Sequence, residues 1–69
     1  MDFKIRQAIE QNVQNDSAES FLDTINDAIS RGDEHLLPGL GVFLEAWWQT
    51  SDLQQQKQFT EVLEQHYKH

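Results

Sequence analysis

The chain predicts an all-α fold, a small bundle of three to four helices around a central apolar helix at about residues 40–50. Three observations carry this. No segment alternates apolar and polar side chains with period two, so no strand is expected. Ala18, Phe21, Leu22, Ile25, Ala28 and Ile29 recur at helical spacing and share one face. Finally, the stretch Leu40–Gln49 is the most apolar in the chain. At about 100° per residue, Glu45 and Gln49 occupy one narrow wedge, while Leu40, Val42, Phe43, Leu44, Ala46, Trp47 and Trp48 fill an arc of about 240°. A single core face needs only about 100°, so this helix must be covered on two or three sides, by other helices or by a second copy of the chain.

Taken in order, Asp2 to about Val13 reads as a first helix, with Phe3, Ile5, Ala8, Ile9 and Val13 on its apolar side. Arg6 projects at the edge of that side, its stem on the core and its head toward water. Asn12–Asp16 is a loop by turn chemistry. Asp16 with Glu19 has the spacing of a capping box, which opens a second helix. Arg31 suits the negative end of that helix, and Gly32 is a left-handed stop.

Asp33-Glu34-His35 begins a link, with room for a short helical turn through Leu36. Leu37 precedes a proline and is expected to be extended. Pro38 and Gly39 match the centre of a type II turn, with Gly41 completing the turn structure. The alternative places Pro38 at the first position of the third helix. On either reading that helix has begun by Gly41 and ends near Thr50. Ser51 with Gln54 offers a second capping box, and the last helix carries Leu53, Phe59, Val62, Leu63 and Tyr67 on one half. Gln54–Gln58 is polar and adds little packing, while Lys57 with Glu61 and Glu64 with Lys68 form helix-surface pairs. No repeat or linker divides the chain, so residues 1–69 are expected to be a single helical domain.

Sixty-nine residues sit at the lower end of what folds alone, and without cysteine there is no disulfide frame or thiolate metal site to help. Self-association is the natural remedy. Twelve acids against five scattered bases give a formal charge of −7. Nucleic-acid binding needs a basic stripe, so that class of partner is not expected. No apolar run approaches the ~20 residues of a membrane span, and nothing at the N-terminus reads as a secretion signal; a soluble intracellular protein is expected.

Candidate chemistry is sparse. Gly39-Leu40-Gly41 at a helix start lacks the lysine of a P-loop and the spacing of a dinucleotide fingerprint, so close backbone packing explains its glycines better. His66 and His69 are three apart but lack further ligands, and His35 lies in a polar link. Asp23 and Asp27 lie one turn apart on the solvent face of the second helix, without the pocket that acid/base work requires. No catalytic, cofactor-binding or metal site and no small-molecule substrate is expected. The tryptophans differ. Trp47 and Trp48 point about 100° apart, and one bundle core does not easily enclose both. Either three helices surround the central one, or one side of it contacts another chain. Leu40, Phe43, Leu44, Trp47 and Trp48 are the expected interface, with Leu44 and Trp48 foremost. The occupant would be a second copy in a symmetric homodimer or another protein.

The chain resembles the small acid-soluble spore protein I family along nearly its whole length. The resemblance rests on Met1-Asp2 with Arg6, Ala8, Ile9, Asn12 and Val13; on Asp23-Thr24-Ile25 with Asp27-Ala28-Ile29 and Gly32; and on Leu37-Pro38-Gly39-Leu40-Gly41-Val42 with Glu45, Trp48 and Gln49. It implies a non-enzymatic protein of endospore-forming bacilli, made in the forespore and deposited in the spore core. The larger spore proteins that coat DNA are a separate family, and their property is not carried over. Self-association or protein packing is the expected mode of action, a helical adaptor outside any spore context is the alternative, and acidic mimicry of a basic-surface ligand is a third reading.

Overall fold

The computed structural model describes residues 4–68. Among them the chain forms α1 (Ile5–Val13), α2 (Ala18–Arg31), α3 (Leu37–Thr50) and α4 (Leu53–Tyr67), with a 3₁₀ turn at Glu34–Leu36 and no strand. The all-α expectation holds. The expected helix start at Asp2, and Phe3, lie outside the described residues. α1 ends at Val13, as expected, where half-buried Val13 packs as the last apolar residue of its stripe, so the loop loses Asn12 and Val13 to the helix. The chain then turns at Gln14–Asn15.

The cap of α2 is Ser17, not Asp16. Ser17 has the extended backbone an N-cap needs (φ −81°, ψ 167°), and its Oγ accepts the Ser20 N–H at 3.1 Å. α2 ends as expected at Gly32, whose φ of +63° suits a residue without Cβ and whose N–H reaches the Ile29 carbonyl at 3.2 Å. Asp33 then accepts the His35 N–H at 2.9 Å and starts the 3₁₀ turn.

That turn runs directly into α3 and corrects two expectations. Leu37 is helical (φ −61°, ψ −40°) rather than extended, and Pro38, Gly39 and Gly41 lie inside the helix rather than in a turn. The reason is that the first four N–H groups of a helix have no internal acceptor, so a proline in the first turn forfeits nothing. Pro38 takes the second helical position, and neither Gly39 nor Gly41 has a positive φ. α3 therefore begins four residues before Gly41 and ends at Thr50, as expected. The α4 cap also moves by one. Asp52 and Gln55 form the capping box (2.8 and 3.0 Å), because Ser51 is engaged in closing α3: its Oγ donates to the Trp47 carbonyl at 2.5 Å and its N–H to that of Trp48 at 3.3 Å.

α3 is the hub. α1 lies against it where Ile9 Cδ1 stands 3.5 Å from the position of a Cβ on Gly39. α2 meets it through Phe21 on Phe43, edge to face at 5.4 Å, and α4 through Phe59, 5.4 Å from Trp47 and 6.3 Å from Trp48. Yet no described residue is fully buried. The stripe of α2 is only half covered: Phe21, Ile25 and Ala28 are half-buried, whereas Ala18, Leu22 and Ile29 stay exposed. The accessible surface is 6281 Å², against about 4500 Å² for a folded monomer of this mass. The radius of gyration is 13.7 Å, against about 11 Å for this length. One subunit leaves roughly 1800 Å² more surface in water than a closed monomer would.

Candidate interaction surface

The uncovered surface has a defined place. α1 takes the side of α3 that carries Gly39, Val42 and Ala46, and α2 takes the side of Leu40 and Phe43. The side left most open carries Leu37, at the edge of α2, Gly41, at the edge of α1, Leu44, and Trp48, beside Phe59, spaced four, three and four residues apart. That is the spacing of a heptad seam, so the four form one straight stripe along the whole helix. Leu37 keeps 58%, Leu44 43% and Trp48 39% of its accessible surface. Over Gly41, nothing among the described residues lies within 4 Å of where a Cβ would stand.

α4 walls one side of this stripe. Between α3 and α4 runs an open groove of about 480 Å³, lined by Gly41, Leu44, Glu45, Trp48 and Gln49 on one side and Phe59, Thr60 and Leu63 on the other. The two tryptophans and Phe59 form a mutual cluster, with the indoles 6.3 Å apart. Gln56 Nε2 donates to the Trp48 carbonyl at 2.9 Å. One residue of the glutamine run, a run expected to add little packing, thus bridges α4 to the end of α3. Beyond Phe59 the apolar half of α4 is bare, and Val62, Leu63 and Tyr67 are all exposed.

Glu45 is the one charged side chain on α3, and it is neutralised within the subunit. Arg6 donates to it twice, Nε to Oε1 at 2.6 Å and Nη2 to Oε2 at 2.5 Å. These hydrogen bonds, with the opposite charge behind them, hold the Glu45 carboxyl below the usual carboxylate range and raise the guanidinium. Arg6 stays largely in water, as expected; its partner, 39 residues away, carries no local signal beyond being the single acid of an apolar helix. The Asp33 carboxyl is lowered by the backbone N–H of His35 and then by its ring.

Of the five expected interface residues, Leu40 and Phe43 are half-buried, while Leu44, Trp47 and Trp48 stand exposed. Phe59 and Leu63 share their groove, which only the placement of α4 reveals. Asp27 pairs with Arg31 at 3.1 Å rather than with Asp23. His66 packs edge-on against Tyr67 at 4.7 Å, and His69 lies outside the described residues. The pairs Lys57–Glu61 and Glu64–Lys68 are not among the ion pairs of the described residues. No group of three metal-ligating side chains occurs among the described residues, and no helix there is long and apolar enough to cross a membrane.

Comparison with known proteins gives one consistent answer. The family model described as small, acid-soluble spore protein I matches residues 3–67. A protein of that name from Geobacillus sp. (strain WCH70) is 48% identical over 65 residues, 94% of this chain and 92% of its own. Proteins of the same name from Halalkalibacterium halodurans and from Bacillus cereus (strain G9842) are 43% and 42% identical over the same 94% of this chain, covering 96% and 94% of theirs. No solved structure matches.

Proposed function

The chain belongs to the small acid-soluble spore protein I family, and we propose that it serves the spore core as a non-catalytic protein that associates with its own kind through the open face of α3 and α4. The carrying observation is the stripe Leu37–Gly41–Leu44–Trp48 with its α4 wall, left bare on a subunit that has no fully buried described residue. An apolar patch of this extent, left in water, drives association. The subunit as a whole keeps roughly 1800 Å² more surface in water than a closed monomer of its mass, so it has surface to spare for a contact with another chain.

Charge supports the same reading. A chain of net charge −7 repels its copy over most of its surface. α3 adds no unpaired charge to that repulsion, because Arg6 pairs with its lone acid. The forespore is then the place of synthesis, and dense packing with other copies is the work done.

Sedimentation equilibrium at micromolar concentration tests this with parent and Trp48→Ala side by side. The parent is expected as a dimer or larger, and the variant as a monomer that keeps its helical circular dichroism. A parent that sediments as a monomer throughout would refute self-association. Capture of a different protein, lost on Trp48→Ala, would then assign the face to an adaptor role.

A further inference from the structure

We infer that two copies pair through α3 in antiparallel order, with a two-fold axis crossing the helix between Gly41 and Leu44, so that the side chain of Leu44 fills the gap over the partner's Gly41. This rests on the self-association proposed above and specifies its register.

The argument starts from the stripe itself. A two-fold interface is isologous: if residue i meets j, then j meets i. On a seam of Leu37, Gly41, Leu44 and Trp48, two arrangements bring all four positions into contact. Parallel pairing sets Gly41 against the partner's Gly41, leaving an unfilled gap at the centre, and stacks Trp48 on the partner's Trp48. Antiparallel pairing about a centre between Gly41 and Leu44 instead sets Gly41 opposite the partner's Leu44 and Leu37 opposite the partner's Trp48. Small then meets large at the centre, and close packing favours that order because facing voids forfeit contact on both sides.

The local surroundings agree. Among the described residues nothing stands within 4 Å of a Cβ on Gly41, whereas Gly39, two residues away, already has Ile9 against it. Gly41 is therefore free to admit another helix, and the absence of a Cβ lets two backbones approach closely. The groove walled by Phe59 and Leu63 lies on the same side and gives the incoming helix a second apolar surface. The one acid of α3, Glu45, keeps Arg6 within the subunit, so the stripe helix itself brings no unpaired charge to the contact.

The chain has no cysteine, so single cysteines report the register directly. In antiparallel pairing the two Leu37 positions lie about 16 Å apart along the axis, at 1.5 Å per residue. That exceeds the ~7 Å Cα separation a disulfide spans. Leu37→Cys alone is expected to sediment as the parent does and to stay uncrosslinked on mild oxidation. Gly41→Leu, whose Cβ meets no described residue within 4 Å, is expected to keep its helicity and to raise the dimer dissociation constant at least about tenfold in sedimentation. Crosslinking of Leu37→Cys to itself, or a Gly41→Leu chain that dimerises like the parent, would overturn this register while leaving self-association standing. A monomeric parent would overturn both.

Discussion

Phe59→Ala should release α4 from the subunit without unfolding the rest. Phe59 is half-buried against both indoles, and it carries the aromatic contact between α4 and α3. Hiding roughly 100–150 Å² of ring at ~25 cal/mol/Å² contributes about 2.5–4 kcal/mol as an upper figure. Each aromatic pair adds about 0.5–1.5 kcal/mol, so a loss of about 3–5 kcal/mol is expected, in line with other Phe-to-Ala truncations. Against that stands little else. The Gln56 hydrogen bond to the Trp48 carbonyl is worth about 1 kcal/mol, and Leu53, Val62 and Tyr67 are exposed. The deletion outweighs what remains, so α4 should swing free. A released helix of 15 residues is marginal in water. Hydrogen exchange resolved by residue is the assay: amides of α4 should lose protection by a factor of about one hundred or more, which is about 3 kcal/mol or more, while those of α1 and the first half of α3 keep theirs. Equal loss of protection throughout would show that α4 belongs to one cooperative core, and the reasoning would fail.

Acid should loosen α1 from α3. The Glu45 carboxyl is held below its ordinary value by the Arg6 hydrogen bonds, so its stabilising contribution is present above the unfolded carboxyl range, near pH 4.5. It is lost as pH falls through the lower folded value. Glu45→Gln should flatten that part of an acid titration followed by circular dichroism, and an unchanged acid limb would argue against the pair. Gly32→Ala should lower stability by about 1–2 kcal/mol, since φ is +63° with nothing within 4 Å to clash and the cost is therefore backbone strain alone. Thermal unfolding of the parent and Gly32→Ala reads it directly.

Helix existence was legible because it is local. The α2 stripe, the Gly32 stop and the end of the central helix at Thr50 depend on residues within a turn of one another. The two caps were each misplaced by one residue because Asp16-Ser17 and Ser51-Asp52 each place two competent acceptors side by side. Local spacing does not choose between them; backbone direction does. The same holds at Pro38, where a turn and a first helical turn use the same residues, and the preceding 3₁₀ turn decided for the helix.

The sequence alone determined that Leu40–Gln49 has more apolar surface than one face can use, and that the chain is too small and too acidic to hide it easily. Which part stays uncovered was decided by tertiary structure. Docking of α1 at Gly39 and of α2 at Phe43 consumed two sides, and the Phe59 clamp turned α4 into a wall beside the third. The Arg6–Glu45 pair, 39 residues apart, was fixed by the same docking. Periodicity gives each helix its faces, because those depend on angles along one axis. The pairing of faces depends on how several axes cross, and that is settled by the mutual fit of side chains far apart in the chain.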